Sequence, residues 1–301
     1  RLAGGALVVV VAADLLTFAG GWNTPVPRTG LFPDAPGVEA AQRAGPARVA
    51  GADGVGLGNA NLRYPGWADL RARGFLTARQ RAVLRASGAA FSSPTNWDLA
   101  TADADDWESW LPVAGVAAVL GPSGAPGPGG WRVADLGPVQ RIDVPGALPR
   151  VHAVGEAIPA DAERSAAAVV EAGPRALAEA AVVEARAGQE LPTLPRGGRA
   201  EVAGVRRDGG RLTATVTSDG GAILVVRDAA LTGWTATVGG QVAPVVVADH
   251  LFVGVVVPAR GHDVALDSRP PGLRAGVTLF AAGLAGLLAL GWLSSRRSAR
   301  P

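Results

Sequence analysis

Apolar and polar positions follow three different rhythms along this chain. Between Ala222 and Leu266, apolar runs of strand length are divided by turn residues. Ile223 to Val226 and Leu251 to Val257 are nearly continuous, the pattern of central strands covered on both faces. Gly239-Gly240 supplies two residues that tolerate positive φ, as a two-residue hairpin requires. Asp249-His250 and Arg260-Gly261 make further breaks. Upstream, Glu201 to Arg207 leads into an Asp208-Gly209-Gly210 turn. After it Leu212, Ala214 and Val216 alternate with Thr213, Thr215 and Thr217, the period of a sheet with one wet face. About seven strands over roughly 70 residues (199–268) predict a β-sandwich, Ig-like or jelly-roll.

Residues 22–190 mix both periods, which makes the fold class α+β. Pro25, Pro27, Pro33 and Pro36 keep the first part extended, and Arg48-Val49 reads as a brief strand. Leu76 to Ala86 is amphipathic, with Leu76, Ala78, Ala82, Val83 and Ala86 inward and a solvated face of Arg79, Arg81 and Arg85; Thr77 is its N-cap. Val113 to Leu120 reads as a short helix running into a strand. Strands are predicted at Trp131 to Ala134, Val139 to Val144, Arg150 to Val154 and Ala180 to Glu184, with a helix over Asp161 to Glu171. Leu191 to Gly198 is a Pro/Gly-rich linker.

The third rhythm is unbroken hydrophobicity. Leu273 to Leu293 carries one charge, Arg274, at its edge; at 1.5 Å per residue it is about 31 Å long, the thickness of a hydrocarbon core. Arg296, Arg297 and Arg300 follow, which puts residues 294–301 in the cytoplasm. Leu2 to Gly21 makes a second transmembrane helix, with Asp14 inside it and Trp22 at the outer surface. About 250 residues then lie outside the membrane.

Composition changes the picture in three ways. The 301 residues contain no Met, so the sequence is expected to be a piece of a longer protein. A net charge of +2 provides no basic field, and nucleic acid is not an expected partner. The absence of Cys excludes disulfides, thiol catalysis and Cys-bound metal. His152, His250 and His262 match no metal spacing, and no Gly-x-Ser-x-Gly elbow occurs.

A strand ending in Asp228, then Gly233-Trp234-Thr235-Ala236-Thr237-Val238-Gly239-Gly240, then Phe252 and Val257-Pro258-Ala259-Arg260-Gly261-His262 resembles the C-terminal module of the YfhO family. Those are multi-pass bacterial membrane proteins related to the GT-C glycosyltransferases. Gly239 stands where that family usually has Asp. A second match, Arg141-Ile142-Asp143-Val144-Pro145-Gly146-Ala147-Leu148-Pro149-Arg150-Val151, resembles the family's Tyr-Glu-Asn-Pro-x-Ala-Leu-Pro-Arg-Ala signature. The resemblance implies a C-terminal portion of an enzyme that moves a sugar from a polyprenyl-phosphate carrier to a cell-envelope polymer. It implies no cofactor, a lipid-linked donor as substrate, and a catalytic acid on an outer loop that this sequence does not include. Its partners would be the bilayer and the other transmembrane helices of the same protein. The competing reading is a non-catalytic, membrane-anchored envelope protein whose β module binds glycan or a protein.

Few side chains present themselves as candidates. Asp14 has two readings, a snorkelling or helix-bonded carboxylate and a polar contact in a lipid-sugar or proton path. Asp103-Ala104-Asp105 has the Asp-x-Asp form that holds a metal and nucleotide diphosphate, but Asp105 and Asp106 also suit the negative first turn of a helix through Leu111. Asn59, Asn61 and Tyr64 fit either a sugar-binding surface or a turn. The Gly-rich stretch around them, 54–61, lacks the Lys-Ser/Thr of a phosphate loop. Trp234 fits sugar stacking or core packing at a strand start.

Overall fold

The computed structural model describes residues 10, 11, 13–15, 17, 48–52, 68–69, 77–88, 107–137 and 139–298. Five early strands, β1 (Arg48–Gly51), β2 (Ala68–Asp69), β3 (Val116–Pro122), β4 (Val133–Asp135) and β5 (Val139–Asp143), form a mixed sheet in the order β2-β1-β3-β5-β4. Next come β6 (Val151–Val154), β7 (Glu156–Pro159) and β8 (Ala180–Glu184). The remaining strands are β9 (Ala200–Asp208), β10 (Arg211–Ser218), β11 (Ala222–Ala229) and β12 (Trp234–Val238), then β13 (Gln241–Ala243), β14 (Val245–Ala248), β15 (Phe252–Val257) and β16 (Arg260–Ser268). They divide into a six-stranded sheet, β6-β11-β15-β14-β8-β7, and a five-stranded one, β13-β12-β16-β10-β9. Helices α1 (Ala78–Ala86), α2 (Trp107–Trp110), α3 (Ser165–Leu177) and α4 (Leu273–Ser298) accompany the strands. The protein is mostly β, sandwich-like, with few helices.

The six-stranded sheet is the middle layer. Because side chains alternate across a strand, Ala222, Leu224 and Val226 of β11 face the five-stranded sheet, where they join Leu212, Val216, Val264 and Leu266 in one aliphatic cluster. Ile223 and Val225 face the other way, into a cluster with Val83, Leu84, Trp107, Trp110, Val119 and Ile142. This double coverage is why the run from Ile223 to Val226 shows no polar alternation. Each such side chain contributes about 1.5–3 kcal/mol on burial. The packing is tight enough to require Gly254 in β15, where a Cβ would sit 2.8 Å from Val246 Cγ2 and 3.1 Å from Ala248 Cβ. The Pro/Gly-rich stretch 191–198 connects β8 to β9, and strands from both sides of it pair within the middle sheet.

The turns follow their chemistry. Gly239 and Gly240 have φ of 56° and 80° and close the β12–β13 hairpin, the twist-matched two-residue turn expected there. Leu212, Ala214 and Val216 are buried on the inner face of β10. Thr77 caps α1, its hydroxyl accepting from the Gln80 N–H while the Gln80 side chain accepts from the Thr77 N–H. The inward face of α1 is Val83 and Leu84 with Ala82 half-buried beside them, whereas Ala78 and Ala86 are exposed and Leu76 lies outside the described residues. Arg79 keeps part of its side chain in solvent but forms a bidentate pair with the buried Glu184. The helix expected over Asp161 to Glu171 begins later, at Ser165, because Asp161 Oδ1 accepts from the Glu163 and Arg164 N–H groups and closes a turn there. It continues to Leu177 through a kink at Gly173 (φ 65°), beyond which Pro174 opens a last turn. Before β3 a turn through Gly115 takes the place of the expected short helix.

Among the described residues no helix is long and apolar enough to cross a membrane. The backbone of α4 is described over Leu273–Ser298, but an unbroken run of its side chains is described only over 273–287. That run makes about 22 Å of helix, against a hydrocarbon core of about 30 Å. Of the segment 2–21, Val10, Val11, Ala13, Asp14, Leu15 and Thr17 are described, helical and exposed.

Candidate functional site

Strand register places many chain ends at one end of the sandwich. Arg211 pairs with Asp267, Trp234 with Ser268 and Arg207 with Leu212. The β9–β10 turn, the start of β12, the end of β16 and the start of α4 therefore lie together. The end of β11 belongs here too, since Ala229 pairs with Phe252, the first residue of β15. At this end the apolar run of β11 gives way to Arg227 and Asp228, and the β14–β15 turn carries Asp249 and His250.

The inner half of this charged layer is sealed. Arg227 and Asp249 are both fully buried and 3.3 Å apart. Arg227 Nη1 also donates to the Val113 carbonyl at 2.7 Å, and its guanidinium lies 5.1 Å from the Phe252 ring centroid. Its Nε and Nη2 find no acceptor. Burial is the largest influence on both groups; it pushes Asp249 above the usual carboxylate range and lowers Arg227, against their mutual attraction. Asp249 and His250 open the three-residue loop between the paired Ala248 and Phe252 and have φ of 46° and 62°, left-handed values that glycine adopts most easily. Asp249 holds its place by accepting from the Val182 N–H at 3.1 Å while its own N–H donates to the Val182 carbonyl at 2.7 Å.

His250 leads into a second buried group. Its Nδ1 lies 2.6 Å from Ser165 Oγ and 3.2 Å from Glu184 Oε1, while its Nε2 has no partner. Arg79 reaches both oxygens of Glu184, at 3.0 and 2.9 Å, and the His250 carbonyl at 2.8 Å. Burial pushes Glu184 up, but the hydrogen bonds from His250, Arg79 and Ser165 outweigh it and bring its pKa down to about 2. The set is not a nucleophile relay: hydroxyl and carboxylate meet the same ring nitrogen, where a relay needs opposite ones, and Ser165 is fully buried. Nearby, His152 Nε2 contacts the Leu177 carbonyl at 3.3 Å. Burial, then the charge of Arg227, lower its pKa to about 4.

The outer half is open to solvent. Asp228 accepts from Arg150 at 2.9 Å and from Arg207, with Arg48 3.6 Å away. Arg48 comes from β1, Arg150 precedes β6 and Arg207 is the last residue but one of β9, so one carboxylate ties together strands of all three sheets. Arg48 is otherwise satisfied by the Ala114 and Arg227 carbonyls at 2.7 and 2.6 Å. Burial and the repulsion of Arg150 lower its pKa to about 10, despite Asp228. Burial pushes Asp228 up, yet Arg207 and Arg150 hold it below the usual carboxylate range. The side chains of Arg150 and Arg207 remain 39% and 36% exposed.

The residues singled out from sequence lie apart from this layer or outside the description. Asn59, Asn61, Tyr64, Asp103 and Asp105 fall outside the described residues, and Asp14 stands exposed on its helix. Trp234 opens β12 half-buried against the aliphatic cluster, and its indole N–H donates to the Ala229 carbonyl at 3.0 Å. No group of His, Asp and Glu able to hold a metal occurs among the described residues. The charged layer escaped the sequence reading. Its signals were Arg227-Asp228 at the end of five apolar residues, Ala222 to Val226, and Asp249-His250 in a turn whose left-handed positions favour glycine.

Fold and site together define a three-layered β domain with an arginine-rich layer at the end from which a helix departs. No family model, curated protein or solved structure matches this chain.

Proposed function

We propose that this chain is the membrane-tethered, extracytoplasmic C-terminal part of a YfhO-like glycosyltransferase of GT-C type. The intact protein would transfer a sugar from a polyprenyl-phosphate carrier to a cell-envelope acceptor, and this part would form the outer domain over the site. One observation carries the tethering. The described side chains Leu273, Val277, Leu279, Phe280, Leu284 and Leu287 of α4 are 49–73% exposed, more apolar surface than an isolated helix in water leaves uncovered. A bilayer and neighbouring transmembrane helices would cover it. In sequence the apolar run continues to Leu293 before Arg296 and Arg297, as in a helix ending in the cytoplasm. The segment 2–21 would supply the second span. The transferase activity rests on the two stretches that resemble the YfhO family.

A second reading is favoured by the charged layer itself. Asp228, Asp249 and Glu184 are each committed to guanidinium groups, so none is offered to a substrate as a base. A non-catalytic envelope domain that binds glycan or a protein would have the same layer. The first of two measurements separates these readings, and the second tests the tether they share. Membranes containing the intact protein should pass a labelled sugar from a polyprenyl-phosphate donor to envelope glycan; if transfer is absent, the enzyme reading is lost. Alkaline carbonate should leave this chain in the membrane pellet and release a variant limited to residues 22–268, which lacks both proposed spans. Release of both would remove the tether.

A further inference from the structure

The arginine group around Asp228 carries more positive charge than the carboxylate neutralises, and it lies on the side of the sandwich from which α4 leaves. Three guanidiniums, those of Arg48, Arg150 and Arg207, face one carboxylate. Arg48 is spent on backbone carbonyls. Arg150 spends Nε and Nη2 on the same oxygen of Asp228, and Arg207 spends Nη2 on the other. Arg150 Nη1 and Arg207 Nε and Nη1 therefore remain as donors on half-exposed side chains, fixed in place by the carboxylate between them. Such a pair of pre-oriented forks matches the oxygens of a phosphate. Arg206, Arg211, Arg269 and Arg274, all exposed, share this end with the acidic Asp208 and the partly buried Asp267.

Leu231 is 57% exposed in the loop before β12, and Arg269 just beyond β16 donates its N–H to the Gly233 carbonyl. The loop is thereby held against the root of α4. If α4 enters the bilayer, this end meets the headgroup layer. Given the membrane tether proposed above, on which this inference rests, we propose that Arg150 and Arg207 bind the phosphate of an anionic phospholipid headgroup. Asp228 positions the two guanidiniums. The bound headgroup holds the β domain in one posture against the outer leaflet.

The test uses the full chain solubilised in a neutral detergent. Isothermal titration would compare dihexanoyl phosphatidate, dihexanoyl phosphatidylcholine and inorganic phosphate. Phosphatidate should bind, and Arg150→Gln or Arg207→Gln should each weaken it about tenfold or more, as expected for loss of a charge-assisted bond. Arg175→Gln, which removes an exposed charge on α3, should leave binding unchanged. Arg207→Lys, which retains the charge and is the milder change for folding, should give an intermediate loss because the fork is gone. Equal binding of phosphatidylcholine, equal binding of inorganic phosphate, or equal weakening by Arg175→Gln would each overturn the proposal. Carbonate extraction of the same variants separates the two claims. A chain that stays in the membrane without phosphatidate binding defeats this inference alone, whereas a chain released by carbonate defeats the tether beneath it.

Discussion

On one face of the six-stranded sheet, Leu224, Val226, Val253 and Val255 meet Leu212, Val216, Val264 and Leu266 in an aliphatic interface. On the other face the same strand, β11, runs through Ile223 and Val225 into Arg227, whose charge is as deeply buried as the leucines are. The two faces reach equal burial by different physics. Aliphatic contacts are non-directional, so each contributes in proportion to its area and tolerates exchange of shape. The Arg227–Asp249 pair must repay two desolvation costs through geometry, and such a pair adds little net stability. What it provides is a penalty for being broken. Asp249 belongs to a left-handed turn, Arg227 reaches the carbonyl of Val113, and Arg48 reaches the carbonyl of Arg227. The charged face thus fixes how the turn, β11 and the first sheet meet, a role that aliphatic packing performs less strictly.

The largest expected effect separates the faces directly. Asp249→Asn keeps the shape and tolerance of positive φ but removes the charge opposite Arg227, and should cost about 3–5 kcal/mol in denaturant unfolding. Adding Arg227→Met should restore more than half of that loss. On the aliphatic face, Leu224→Ala should cost about 2–5 kcal/mol. There a second truncation at its cross-strand neighbour Val255 should add to the loss and never relieve it. If the second change deepened the loss on both faces, the distinction between them would fail.

Acid should act on the charged face alone, with a somewhat smaller effect. His152 has its pKa lowered to about 4 in the fold, against about 6.5 unfolded. Between those values the unfolded chain takes up a proton that the folded chain refuses, so stability is lost as pH falls from about 6.5 to 4. Glu184, lowered to about 2, extends the loss: its contribution is present above about 4.5 and disappears as pH falls towards 2. The His152 part amounts to at most about 3 kcal/mol, from 1.36 kcal/mol per pH unit. Unfolding midpoints of His152→Phe across pH 4–7 should lose most of that slope, and an unchanged slope would contradict the assignment. The smallest effect belongs to the cap of α1. Thr77→Ala should cost about 1 kcal/mol and loosen Arg79 from Glu184, leaving the aliphatic face untouched. Faster amide exchange confined to α1 and the β14–β15 turn would show it.

This contrast also explains what was legible in the sequence. Aliphatic burial is written as periodicity, so β8, β10, the central β11 and β15 and the Gly239-Gly240 hairpin could be read directly. So could the Thr77 cap, because capping is local chemistry. The charged layer depends on residues brought together from distant parts of the chain. Arg48, Arg150 and Arg207 meet Asp228 only once three sheets are in place, and no spacing in the sequence records that meeting. The pairing of Arg79 is invisible in the sequence for the same reason. On an isolated helix it belongs to the basic face, but Glu184, carried on a strand 105 residues away, draws it inward. The separation of α3 from its expected start is a smaller lesson, in which the Asp161 side chain satisfied the backbone before the helix began.

The central claim is that the arginine-rich end of the sandwich faces a membrane entered by α4. The chain has no Cys, so single cysteines can report depth without background. Spin labels at Leu231→Cys, Gln241→Cys and Gly283→Cys in the bilayer-reconstituted full chain would be read by their accessibility to oxygen and to a water-soluble nickel complex. Gln241 lies beside the Gly239-Gly240 turn, at the opposite end of β12 from α4. The account predicts position 283 accessible to oxygen only, 231 at the headgroup level and 241 fully in water. Position 283 as open to nickel as 241 would contradict it.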